Sequence, residues 1–176
     1  MRLLLFSILL FAMANTLTIF DFSSESNAQN WYVVDDGVMG GRSEGNFFIG
    51  PEGHAVFEGT VSLENNGGFS SVRYDMESTD ISEFNTLKLK VKGDGKRYQV
   101  RAKTNRRDYQ SYIAYAETTG EWEVIEIKLS DMYPGFRGRR LRMPNYPAEE
   151  MAEFAILIGN KKAESFRLEI DKIWLE

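Results

Sequence analysis

Between Thr86 and Lys92 the chain alternates strictly, with Leu87, Leu89 and Val91 on one side and Lys88, Lys90 and Lys92 on the other. A period of two residues fits a pleated strand with one buried and one wet face, and no helix satisfies it. Such a strand belongs to an antiparallel sheet laid against a core. The same period recurs along the chain. Leu17, Ile19 and either Phe20 or Phe22 mark a first strand. Asn46 to Ile49 and His54 to Val61 flank Gly50-Pro51-Glu52-Gly53 as a hairpin, with Val56 and Val61 turned inward.

Further along, Gly93-Asp94-Gly95 predicts a second hairpin leading into Tyr98 to Lys103, where Tyr98, Val100 and Ala102 oppose Gln99, Arg101 and Lys103. Ser111 to Glu117 and Trp122 to Leu129 carry large apolar groups on both faces, which predicts burial on both sides. Ser130 to Pro147 loses the alternation and holds three of the four prolines, so a long loop is expected. Pro147 to Met151 offers the start of a helical turn, with proline first and glutamates near the positive end. Ala155 to Ile158 and Phe166 to Leu175 finish as strands. In the last, the apolar phase slips by one residue between Ile170 and Ile173, which predicts a bulge near Asp171 and Lys172. The result is about ten short strands and almost no helix, the pattern of an all-β sandwich or barrel. The terminal strands are expected to be neighbours in one sheet.

A chain of 176 residues, 43% hydrophobic and 27% charged, fits a single domain with one core. Residues 1–14 hold one positive charge, an apolar run from Leu3 to Ala12 broken only by Ser7, and small residues at Ala12 and Ala14. That layout predicts a signal peptide cut after Ala14, a mature domain over 15–176, and a periplasmic or secreted location. The alternative is an uncleaved N-terminal anchor that leaves the domain at a membrane surface. The formal charge of −5 weighs against nucleic acid as a partner.

The residue inventory also limits chemistry. With no cysteine there is no disulfide, thiolate zinc site or thiol nucleophile. His54 is the single histidine and stands beside a turn with no nucleophile implied by spacing, so no Ser-His triad is expected. Gly37-Val38-Met39-Gly40-Gly41 lacks the G-x-G-x-x-G order, which removes the dinucleotide reading. No catalytic residue, metal ligand set or cofactor is expected.

Binding residues are easier to nominate. Trp31 to Ser43 runs from an apolar segment into Asp35 and Asp36 and then three glycines, and Asn65 to Arg73 passes a second glycine turn into a strand. Two such turns predict loops held at one end of a sandwich, where binding residues tend to sit. Asp35 and Asp36 suit an oxygen-ligand cation site loosely, and an aspartate that caps its own turn is the plainer reading. Asp36, Asn66 and Arg73 have the hydrogen-bonding groups to hold a sugar, with Tyr109, Tyr112 and Tyr133 as aromatic surface. Arg137, Arg139, Arg140 and Arg142 fall within six positions of an acidic chain and form forks for carboxylate or phosphate groups.

These motifs together resemble the complex I intermediate-associated protein family. The resemblance rests on Trp31 with D-D-G-V-M-G-G-R-S at 35–43, on F-E-G-T-V-S-L-E-N-N-G-G-F-S-S-V-R at 57–73, on F-R-G-R at 136–139 and on F-R-L-E-I-D-K-I at 166–173. It implies a jelly-roll β-sandwich of the galactose-binding-like type and a non-catalytic assembly or interaction role. It also implies protein partners among the subunits of NADH:ubiquinone oxidoreductase, bound through the loop rim. Related jelly rolls include carbohydrate-binding modules, so an exported sugar-binding module is the alternative. The expected export sets this chain apart from the mitochondrial member of the family, which works beside the inner membrane.

Overall fold

A computed structural model describes residues 15–176, so the signal-peptide reading of residues 1–14 lies outside the described residues. In chain order the strands are β1 (Leu17–Asp21), β2 (Trp31–Asp35), β3 (Glu44–Ile49), β4 (Ala55–Val61), β5 (Ser70–Asp80), β6 (Thr86–Lys92) and β7 (Arg97–Lys103). Then follow β8 (Ser111–Glu117), β9 (Trp122–Lys128), β10 (Tyr133–Phe136), β11 (Arg139–Arg140), β12 (Glu150–Ile158) and β13 (Glu164–Leu175). They form two sheets. The six-stranded one runs β3-β4-β13-β6-β9 with β1 also beside β13, and the seven-stranded one runs β11-β10-β8-β7-β12-β5-β2. The pairings are antiparallel throughout.

The apolar faces of both sheets close on one core. Leu87, Leu89 and Val91 from β6 join Phe166, Leu168, Ile170 and Ile173 from β13 on one side. Val72, Val100, Phe154 and Ile156 supply the other. At one end of the sandwich Trp31 stacks between Phe47 and Tyr74, with ring centroids 5.1 and 4.8 Å away, and Phe20 and Phe22 close the cluster.

The strand β13 joins the fold together. Its first half pairs with β4, its second half with β1, and β6 covers the opposite edge. The terminal strands are neighbours, as their pattern predicted, and the register shifts between Ile170 and Lys172 where the apolar phase slips.

Four local expectations are corrected. Gly93-Asp94-Gly95 is not a hairpin, because β6 lies in one sheet and β7 in the other. Asp94 ties this corner down, accepting from the Tyr98 hydroxyl at 3.0 Å and from the Arg167 backbone N–H at 2.9 Å. Strand β9 is a sheet edge with one wet side, on which Trp122 and Val124 are exposed, whereas β8 does bury Ile113 on the face turned away from the core. The stretch 130–147 is not one long loop, since Tyr133 to Gly135 pair with β8 and Gly135 and Phe136 with β11. Finally, Pro147 to Met151 makes no helical turn. Ala148 adopts φ 54° and the Ile81 N–H takes the Glu149 carbonyl, so the chain enters β12 instead.

Candidate binding site

The two glycine turns do lie together, and one carboxylate joins them. Asp36, with no exposed surface, accepts from the Ser43 N–H at 3.0 Å and the Ser43 hydroxyl at 2.5 Å, and across the gap from Gly68 N–H at 2.6 Å and Phe69 N–H at 3.2 Å. Burial pushes its pKa up, but the Ser43 hydroxyl and the three backbone N–H groups outweigh that, so the group is held below its ordinary value. Glycine is needed beside it. A Cβ on Gly41 would stand 2.1 Å from Asp36 Oδ1 and one on Gly67 2.6 Å from Oδ2. Asn65, at φ 55°, adds a bond from its amide to the Gly40 carbonyl at 2.9 Å.

Gly41→Ala is therefore expected to cost about 1–3 kcal/mol through overpacking. Chemical denaturation of the two proteins measures it.

Asp35 does a related task one residue earlier. Its Oδ2 accepts the Gly45 N–H at 3.0 Å and so links β2 in one sheet to β3 in the other. Asn66 sits exposed at φ 61° beside this lock.

The outward face of the seven-stranded sheet is of a different character. Alternation along β5 puts Val72 in the core and Arg73 outside, and the register aligns Tyr32, Arg73, Ala155, Arg101, Ile113 and Tyr133 in one row across six strands. A neighbouring row brings Gln99 beside Tyr115. Arg101 donates from Nε and Nη2 to Gln99 Oε1 at 3.0 and 2.6 Å. Glu153, almost fully buried, lies 3.4 Å from Lys103 Nζ and 4.0 Å from Arg73 Nη1. The Tyr133 and Tyr115 hydroxyls stand 3.4 Å apart, and the Arg140 guanidinium covers the Tyr133 ring at 4.9 Å. Burial and the bond to Tyr115 push the Tyr133 hydroxyl up to about 12.

The six residues nominated from the sequence thus fall in three places. Asp35, Asp36 and Asn66 share the locked turns at one end, and Arg73 is on the outer face, on the strand next to the β2 edge. Arg137, in the turn between β10 and β11, and Arg139, at the start of β11, are exposed at the opposite edge of the sheet, where Arg137 lies over the Phe136 ring at 5.2 Å. Of the nominated aromatics, Tyr133 is on the outer face and Tyr109 is exposed against Phe136. Tyr112 points into the core, 4.8 Å from the Tyr146 ring. His54 sits 2.9 Å from Asp171 and packs on Trp122. Sequence reasoning missed Arg101, Tyr32 and Tyr115, whose only signal was their phase opposite the core residues of their strands.

Two antiparallel sheets with a polar, tyrosine-bearing outer face define a jelly-roll β-sandwich of the galactose-binding-like class. A family 11 carbohydrate-binding module from Clostridium thermocellum, solved with a β-1,3-1,4-mixed-linked tetrasaccharide, has the same fold: TM-score 0.64, 16% identity, 91% of this chain and 94% of that one covered. The chain itself belongs to the Complex I intermediate-associated protein 30 family, whose model matches residues 20–170.

Among curated relatives, the mitochondrial Complex I intermediate-associated protein 30 of Drosophila melanogaster is 26% identical over 96% of this chain, and that of Mus musculus 27% identical over 92%. The chain spans 66% of the fly protein and 56% of the mouse protein. Among the described residues no helix is long and apolar enough to cross a membrane.

Proposed function

We propose that the chain is a non-catalytic binding module that assists assembly of a multi-subunit protein complex, and that it binds through the outer face of the seven-stranded sheet. The family match over 20–170 carries this reading. The face is suited to the role because it gathers tyrosines and arginines, side chains that dominate protein interfaces. Asp35 and Asp36 then act as structure, fixing the frame, while Arg73 contacts the partner. Respiratory-complex subunits, to which the relatives' name points, are the first partners to test.

Residues 1–14, read as a leader, would carry the domain across a membrane, and N-terminal sequencing of native protein tests this. A start at Asn15 supports export, and a start at Met1 supports an anchor. Affinity purification of the full chain from its own cells, with quantitative mass spectrometry, tests the assembly role. Enrichment of respiratory-complex subunits is expected, and their absence under crosslinking conditions would count against it.

A second reading, an exported carbohydrate-binding module, is favoured by the exposed Tyr32 and Tyr115 with Tyr133 on the same face, because sugars stack on aromatic rings. A glycan array without binders removes it.

A further inference from the structure

On the outer face Arg73 and Lys103 approach the Glu153 carboxylate, with Asp75 opposite Glu153 in register, and Arg101 stands in the next row. Arg73 and Arg101 flank Ala155 in register, and the alanine itself is buried. Among the described residues Arg101 has no carboxylate within 4.0 Å, and its bonds to Gln99 use only part of its fork. Among the described residues the one carboxylate within 4.0 Å of Arg73 is Glu153, at 4.0 Å, and Lys103 holds that carboxylate more closely. Burial and then repulsion from Arg73 pull the Arg101 guanidinium down to about 10, still charged at neutral pH. Two neighbouring cations, one largely desolvated, are a standing cost that an incoming carboxylate relieves.

The row is long enough for a segment of chain. From Tyr32 to Tyr133 it crosses five inter-strand spacings, about 24 Å, which matches roughly seven residues of extended peptide. Resting on the reading of the chain as a protein-binding module, we propose that this face docks an acidic segment of a protein partner, one carboxylate lying between Arg73 and Arg101 above Ala155. Charge complementarity selects the segment. The chain as a whole carries −5, so an acidic partner is repelled elsewhere and finds this face as a local exception.

Fluorescence anisotropy of the full chain with fluorescein-labelled octaglutamate tests the proposal, with octaglutamine as the neutral control. Octaglutamate is expected to bind with an affinity that falls as salt rises, and octaglutamine is not. Arg73→Gln and the charge-keeping Arg101→Lys should each weaken binding roughly tenfold, because both remove a bidentate fork. Unchanged melting temperatures show that the variants are folded. No octaglutamate binding below about 1 mM, or equal affinity in both folded variants, would overturn it. So would tighter binding of octagalacturonate, or of vesicles containing phosphatidylglycerol, that the same substitutions abolish. Should octaglutamate fail while the full chain still enriches respiratory-complex subunits, the acidic-segment proposal falls and the assembly reading stands.

Discussion

Asp36→Ala is expected to remove at least about 4 kcal/mol of stability, a large share of the roughly 5–15 kcal/mol that a domain has to lose. The four donors that converge on this carboxylate lie in two turns, and all are left facing a void once it is gone. Ser43 also bonds to the Ser62 backbone, so the loss spreads to the end of β4. Asp36→Asn should cost nearly as much, because an amide offers one acceptor and turns its NH₂ toward N–H groups. The carboxylate binds its proton less readily in the folded than in the unfolded chain. Its contribution is therefore present above the ordinary aspartate value of 3.8 and lost as the pH falls through and below it. Urea denaturation between neutral pH and acid should show this slope in the native protein and a flatter one in Asp36→Asn. Equal slopes would mean that Asp36 is not the group responsible.

Deleting residues 173–176 is the second large effect, and no cooperative unfolding transition is expected to survive it. The segment removes Ile173 and Leu175, both fully buried, from the centre of the core. It also removes the pairing that holds β1, since among the described residues β1 pairs with β13 alone, through Leu17, Thr18 and Phe20. On the other edge, Thr86 and Glu176 exchange two backbone hydrogen bonds of 2.9 Å, and Glu176 pairs with Lys88 at 2.7 Å. Circular dichroism melting and size-exclusion chromatography check the result. A monomeric truncation product with an unaltered melting temperature would contradict the role given to β13.

Much of this fold was legible in the chain because a strand with one buried face writes its period into the sequence. Leu87, Leu89 and Val91, and the slip between Ile170 and Ile173, could be read directly. What period two does not carry is which sheet a strand joins. Gly93-Asp94-Gly95 has the chemistry of a tight turn whether the next strand pairs with the last or crosses to face it, and here it crosses. Tyr112 and Ile113 are both large and apolar, so their phase was ambiguous, and tertiary packing put the tyrosine inside.

The site was less legible than the fold for a related reason. Asp35, Asp36 and the glycines stood out as a motif, but that motif describes a joint between two turns. Arg137 and Arg139 stood out as a cluster, yet they lie at the far edge of the sheet. The outer row takes Tyr32, Arg73, Ala155, Arg101, Ile113 and Tyr133 from six strands scattered through the sequence, and only the pairing register brings them into line.

A photo-crosslinking amino acid placed at Tyr115, on the outer face of the seven-stranded sheet, or at Phe48, on that of the six-stranded sheet, compares two exposed sites on one folded protein. In native cells the Tyr115 position is expected to crosslink subunits of the complex under assembly and the Phe48 position is not. Crosslinks formed from Phe48 alone would contradict the assignment of the binding face.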